Sequence, residues 1–316
     1  MLDFTPPCDP ICYSVNTRAI GDMIAAAPIV KWAVETYHVS SNAPYKVVIS
    51  PYFRDFFHFI PDENILSLDE DWKFDRQYAV RRLNDLGKYG VFSRLTAARL
   101  SLSEYARITL LLRLDIPTEA TYYVPFNKES SLDTPELNLD FSKTVIFSVT
   151  YKDANRSWNP EEILKLAAWV KGRGYTPAFV GKLINDIGCK ITPQSMLPDH
   201  LPEFILDLRN KTSLLELYII MKRCKAVVGI DSGPIHLAGM TETDIVCGYT
   251  TIIPEHRMPL RPRGVTLPVV PDVSCRFCST RWNLDFFGFN SCYHGHTDCV
   301  KQMTADRFIV ELSKIL

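Results

Sequence analysis

The chain has 316 residues, 47% hydrophobic and 22% charged, the balance of an ordinary globular protein, which excludes a fibre or a disordered chain. A formal net charge of −1 gives no overall pull toward nucleic acid or membrane, and the length predicts two domains of about 150 residues each. No stretch approaches the roughly 20 apolar residues needed to span a bilayer. Met1 to Pro10 lacks the basic and apolar regions of a secretory signal, and the nine cysteines are an odd number, so a cytoplasmic chain with reduced thiols or a metal site is expected rather than a disulfide framework.

In chain order, Ile11 to Asn16 reads as a first strand, Thr17 to Asp22 as a turn and Met23 to Tyr37 as a helix. Lys46 to Ser50 and Ile65 to Leu68 are short strands with an aromatic helix, Tyr52 to Phe59, between them. From Arg76 to Arg113 eight basic residues meet two acids, a local net charge of +6. That stretch reads either as a polyanion-binding face or as a solvated surface balanced by the acidic segment Asp62 to Asp75. A helix over Ser101 to Leu114 precedes an aperiodic polar stretch, 127–143, that reads as an interdomain linker. The expected division is therefore 1–140 and 141–316.

A second α/β series opens with a strand at Thr144 to Val149 and a polar loop, Thr150 to Arg156. The next helix starts at Pro160, with Glu161 and Glu162 at its positive end and Gly172 and Gly174 closing it. Thr176 to Val180 is a strand, Phe204 to Leu208 leads into another, and Ser213 to Arg223 is a helix opened by a Ser/Glu capping pattern. Ala226 to Ile230 is a short apolar run suited to a buried parallel strand. Asp231 or Ser232 can cap a helix that starts there, and Pro234 fits its first turn. Free backbone N–H groups at this turn would face a phosphate or a sugar hydroxyl. Strands alternate with helices in both halves and no repeat of 20 to 50 residues is present, so two doubly wound α/β domains are expected.

Four segments, in order, resemble glycosyltransferase family 9, the heptosyltransferase-like enzymes. They are Ile20 to Pro28, with its Gly-Asp pair; Arg156 to Glu161, with Leu166, Ala167, Gly174 and Gly181; Lys211 to Leu217, leading into Asp231-Ser232-Gly233-Pro234-Ile235-His236-Leu237-Ala238; and the cysteine-bearing tail Cys275 to Cys299. Two departures lie near the inferred donor cleft: Gly239 to Val246 replaces the usual small-residue run, and Arg209-Asn210 stands where the family commonly has a glycine. The resemblance implies a GT-B fold, two Rossmann-like doubly wound domains facing a cleft, with the acceptor on the N-terminal side and the nucleotide sugar on the C-terminal side. It implies an inverting transfer with Asp22 as the base, beside Gly21.

Attack on an anomeric carbon needs a proton acceptor and positive groups for the departing diphosphate. Lys152 and Arg156 are expected to neutralise that diphosphate, Ser157 to donate a hydrogen bond, Asp231 to bond the sugar, and Ser232, Gly233 and Pro234 to bring backbone close to phosphate. His236 reads either as a phosphate or hydroxyl contact or as a packed histidine. Of Arg257, Arg261 and Arg263, in a Pro-rich loop where the resemblance places the nucleotide, Arg261 is the expected ligand. Cys275, Cys278, Cys292 and Cys299 read either as a closed structural zinc site or as reduced thiols in an aromatic tail. No cofactor is expected for catalysis, the donor being a nucleotide-diphosphate sugar. The expected acceptor is a polyanion: an anionic glycan such as lipopolysaccharide core at the inner membrane face or, for a phage-type enzyme, a hydroxymethylated DNA base. A non-catalytic sugar-nucleotide-binding module is the reading of a different class.

Overall fold

The computed structural model describes residues 11–15, 20–39, 44–67, 79–82, 117–126, 139–149, 154–181, 197–278, 280, 292 and 294–316. The chain divides into two compact units, Met1–Asn127 with Leu260–Pro262, and Lys128–Pro259 with Arg263–Leu316. The short return of 260–262 to the first unit is tied by the Tyr123 N–H, which donates to the Leu260 carbonyl at 2.9 Å.

The first unit holds a parallel sheet of β1 (Ile11–Ser14), β2 (Tyr45–Ile49), β3 (Ile65–Ser67) and β4 (Ala79–Arg82), in the order β3-β2-β1-β4. Strand β4 was not expected: it falls inside the basic stretch, most of which lies outside the described residues, as do the helix expected over Ser101 to Leu114 and linker residues 127–138. Helix α1 (Ile20–Ala33) begins earlier than the sequence suggested, so Gly21 and Asp22 stand in its first turn rather than in the loop before it. Residues Met23 to Val30 are all buried, which makes α1 an enclosed helix without a polar stripe. It runs on into a π-helical turn, Val34–Val39, where the buried His38 places Nε2 3.0 Å from the Tyr13 hydroxyl. The aromatic segment expected as a helix over Tyr52 to Phe59 is a 3-10 helix, Pro51–Phe57. Arg54 donates to the carbonyls of Phe57 at 2.6 Å and Ile60 at 2.9 Å, taking up acceptors that a continuing helix would have used.

The second unit is a six-stranded parallel sheet in the order β10-β9-β8-β5-β6-β7. Its strands are β5 (Thr144–Ser148), β6 (Thr176–Val180), β7 (Leu206–Asp207), β8 (Ala226–Ile230), β9 (Asp244–Gly248) and β10 (Thr266–Val269). Every residue of β5 and β8 is buried, the condition for near-continuous apolar strands covered on both faces. Helix α2 (Pro160–Gly172) is capped by Asn159, whose side chain accepts from the Glu161 N–H at 3.0 Å, and is followed by Gly174 at φ 86°. Helix α3 (Leu214–Arg223) carries a reciprocal capping box between Ser213 and Glu216. Helix α4 (Gly233–Gly239) comes directly after β8.

Both sequence departures have structural answers. Asn210 adopts φ 57°, a left-handed conformation that glycine reaches freely and asparagine tolerates, while the buried Arg209 is held by Asp207 and the carbonyls of Pro198 and Asp199. The run after Ala238 still delivers β9, paired in parallel register with β8 from Ala226 opposite Asp244. Two further helices, α5 (Asp298–Lys301) and α6 (Ala305–Leu312), were not foreseen. Helix α6 packs on the core of Phe147, Ile163, Phe179 and Val228. Trp158 stacks on Phe308 with ring centroids 4.2 Å apart and donates its indole N–H to the Met303 carbonyl at 2.7 Å. Among the described residues no helix is long and apolar enough to cross a membrane.

Candidate functional site

In the second sheet the chain leaves β5 by α2 toward β6 and β7 on one side, then leaves β8 by α4 toward β9 on the other. The connections diverge between the carboxyl ends of β5 and β8, and a doubly wound sheet opens its ligand crevice at such a switch point. Ser148, at the tip of β5, and Ser232, just beyond β8, place their hydroxyl oxygens 3.2 Å apart there. Ser232 occupies the cap position of α4 but makes no side-chain cap bond; its hydroxyl engages Ser148 instead. Asp231 does not cap the helix either. Its Oδ2 lies 3.7 Å from Arg156 Nη1, its Oδ1 lies 3.6 Å from His236 Nε2, and its backbone N–H donates to the Gly248 carbonyl at 3.1 Å.

Asp231 is 6% exposed. Burial alone would raise its carboxyl, yet His236, Arg156 and Arg257 outweigh that and hold it at about 2, so the group is a carboxylate under all physiological conditions. Burial, with this negative charge beside it, pushes the Cys247 thiol well up. Arg257 therefore belongs to this electrostatic group, while Arg263 pairs on the surface with Glu242 at 2.9 Å. His236 is buried against Asp231, and Ser157 is buried beside the half-exposed Arg156.

The loop carrying Arg156 is fastened at both ends. Thr250 donates its hydroxyl to the Asn155 carbonyl at 2.6 Å, and Trp158 anchors to Met303 and Phe308. Thr250 in turn accepts, at its backbone carbonyl, the N–H of Phe277 at 2.9 Å. The structure thus gathers Arg156, Ser157, Asp231, Ser232, Gly233, Pro234 and His236 in the second unit. Gly21, Asp22 and Arg261 belong to the first, and Lys152 lies outside the described residues.

Phe277, between Cys275 and Cys278, adopts φ 60°, a strained value for a bulky side chain. Burial, with Cys278, Cys275 and Cys292 as neighbours, pushes the Cys299 thiol up to about 12. Burial would also raise Cys292, but the backbone N–H groups of Thr297, His294, His296 and Gly295 outweigh it and favour its thiolate. The four thiols are electrostatic neighbours, and the donor set suits a thiophilic metal. Among the described residues no three His, Cys, Asp or Glu side chains stand in ligating arrangement. Beside them opens a recess of about 480 Å³ lined by Ser274, Cys275, His294, His296 and Asp298.

Residues 104–276 match the profile of "Glycosyltransferase family 9 (heptosyltransferase)". The lipooligosaccharide heptosyltransferase 2 of Haemophilus influenzae is 28% identical over 116 residues, 36% of this chain and 33% of that protein, so the chain spans about a third of this relative's length. The iron-containing dodecameric glycosyltransferase TibC of enterotoxigenic E. coli H10407 superposes with a TM-score of 0.71 at 17% identity, over 97% of this chain and 76% of its own. The dodecameric iron-containing heptosyltransferase TibC in complex with ADP-D-beta-D-heptose gives a TM-score of 0.72 at 16% identity, over 99% of this chain and 77% of its own. At these identities the likeness is one of fold, the GT-B architecture of parallel α/β units.

Proposed function

The chain belongs to glycosyltransferase family 9, and from that premise we propose that it moves a sugar from a nucleotide-diphosphate donor to an acceptor hydroxyl, inverting the anomeric carbon with no metal in the chemical step. The observation that carries this reading is the group of Arg156, Asp231 and His236 at the β5/β8 switch point, within the residues that match the family. In the reaction Asp22 takes the acceptor proton as the acceptor oxygen attacks the anomeric carbon. The bond to the diphosphate breaks, and Arg156 with Lys152 meets the charge that develops on the leaving oxygen. Ser157 and the Ser232-Gly233-Pro234 turn complete the donor side; Gly21 supports Asp22, and Arg261 serves the nucleotide end.

The named relatives make ADP-heptose the first donor to assay and an anionic glycan such as lipopolysaccharide core the first acceptor, reached from the cytoplasm. The basic stretch Arg76 to Arg113 favours a second acceptor, a hydroxymethylated base in DNA. Transfer and hydrolysis are to be measured for a panel of nucleotide sugars against both acceptors. Asp22→Asn is expected to abolish transfer and leave donor binding nearly intact; transfer at the wild-type rate would remove Asp22 from the role of base. Binding without turnover for every donor and acceptor would identify a non-catalytic module instead.

The four thiols are further proposed to hold a structural metal, zinc or iron, through Cys275, Cys278, Cys292 and Cys299. When bound, such a metal supplies a cross-link of the tail and takes no part in transfer. Elemental analysis after reconstitution with zinc or ferrous iron should find one equivalent in the wild type and none in a Cys275→Ser/Cys278→Ser variant. Equal metal content in the two proteins would leave the cysteines as reduced thiols.

A further inference from the structure

Among the described residues Tyr52 is the most exposed large hydrophobic side chain, at 83%; the other two, Val265 and Val310, are aliphatic. A single exposed apolar group is ordinary on a protein surface, so its place and its mounting carry the argument. In the first unit β1 and β2 are parallel neighbours, with Ser14 opposite Val48, and the pairing continues past β1 where the Val15 N–H donates to the Val48 carbonyl at 2.9 Å. Tyr52 comes three residues after the end of β2, and Asp22 stands in the first turn of α1, the helix that follows β1. Both therefore emerge at the carboxyl edge of the sheet, from adjacent strands about 5 Å apart, and the Pro51–Phe57 helix packs on α1.

The mount is firm. Pro51 fixes its own φ, Phe53, Phe56 and Phe57 are buried, and Arg54 ties back to the Phe57 and Ile60 carbonyls and to Asp62 at 2.5 Å. The Tyr52 ring stands in solvent on a segment whose other aromatic side chains hold it to the core, so stacking a ligand on it orders little backbone. From Tyr45 to Glu63 two cations meet three acids, a local net charge of −1. Both cations are engaged, Lys46 with the Glu63 carbonyl and Arg54 with Asp62. A nucleic-acid strand needs cations for its phosphates, so this patch suits the apolar face of a sugar ring rather than a base of DNA.

We infer that Tyr52 is an acceptor-recognition residue: a sugar ring of the acceptor glycan stacks on its aromatic face, which sets that glycan at the sheet edge carrying Asp22. The inference rests on the proposed glycosyl transfer and deepens it by naming the side chain that selects a carbohydrate acceptor.

The test sets acceptor against donor. Steady-state transfer with ADP-heptose and delipidated lipopolysaccharide core oligosaccharide, and saturation-transfer NMR of the same oligosaccharide without donor, are run on the wild type, Tyr52→Phe and Tyr52→Ala. The position is on the surface, so the variants are expected to fold as the wild type does, with Tyr52→Leu as a second ringless side chain should alanine fail. Tyr52→Ala is expected to raise the acceptor KM about fivefold or more and to leave the ADP-heptose KM as it is; Tyr52→Phe, which keeps the ring, should stay within about twofold of the wild type. The saturation transferred to the oligosaccharide should drop in Tyr52→Ala alone. An unchanged acceptor KM and NMR signal in Tyr52→Ala, or an equal rise in both KM values, would overturn the inference, as would a loss in Tyr52→Phe as large as in Tyr52→Ala. A DNA duplex bearing hydroxymethylated bases is run in parallel, and weakening of that substrate alone overturns it too. A wild type that binds the oligosaccharide through Tyr52 but transfers no sugar from any donor of the panel removes the glycosyltransferase reading and keeps the platform; one that binds neither the oligosaccharide nor the duplex removes the platform.

Discussion

Gly229 sits in β8 directly opposite Ser148 of β5, where the two central strands approach the crevice. Replacing it with alanine puts a methyl group 2.8 Å from Ser148 Cβ, 3.1 Å from the Ser148 carbonyl oxygen and 3.2 Å from Ile235 Cδ1. Carbon atoms pack at about 3.5–4.0 Å, so the strands must part by about 1 Å. Neither the Ser148 Cβ nor its backbone can swing aside as a long side chain would. Overpacking of this kind costs about 1–3 kcal/mol, and the stiffer unfolded chain of alanine returns roughly 0.4–1 kcal/mol, leaving a net destabilisation of ~1–2 kcal/mol. At ~2–4 °C per kcal/mol for a unit of this size, scanning calorimetry should show Tm lowered by roughly 3–6 °C. Because Ser148 ends β5 and Ser232 lies just beyond β8, affinity for the proposed donor nucleotide should fall in the same variant. An unchanged or higher Tm would show that β5 and β8 are not packed as closely as described.

Three other outcomes are expected. Trp158→Phe keeps an aromatic ring for Phe308 but strips the Met303 carbonyl of its donor, and urea unfolding should report a loss of about 1–3 kcal/mol; a loss confined to a few tenths would mean water replaces the bond. Ser213→Ala removes the side-chain half of the α3 capping box and should cost about 1 kcal/mol in thermal unfolding, with a neutral result ruling the cap out as a contributor. Asp231 has a folded pKa of about 2 against an ordinary 3.8, so its contribution is present above the unfolded value and lost as the pH falls through the folded one. The shift corresponds to about 2 kcal/mol. Stability measured between pH 5 and pH 2 should fall less steeply in Asp231→Asn than in the wild type; parallel curves would contradict the depressed pKa.

How much of the fold and the site is legible in the sequence depends on whether the cause is local. Strands β6 and β8 are bounded correctly by apolar runs with turn residues after them, and α3 by a capping pattern contained in four residues. Strand β4 escapes because Ala79-Val80-Arg81-Arg82 is half arginine and lies in a charged stretch; its pairing with β1 is what makes it a strand. The motif identifies the switch-point residues, yet not their partners. Ser232 reads locally as a helix cap, and only the return of Ser148, 84 residues away in sequence, claims its hydroxyl. Arg257 likewise looks no different from Arg261 in a Pro-rich loop, and only folding brings its charge to bear on Asp231.

Thr250 stands between two hydrogen bonds, one received from Phe277 in the strained Cys275 to Cys278 turn and one given to Asn155 next to Arg156. A disturbance of the thiol turn, by oxidation or by alkylation, therefore has a two-bond route to the neighbour of Arg156. Coupling along such a route is reciprocal: a nucleotide that stills the loop should also shield the cysteines from modifying reagents.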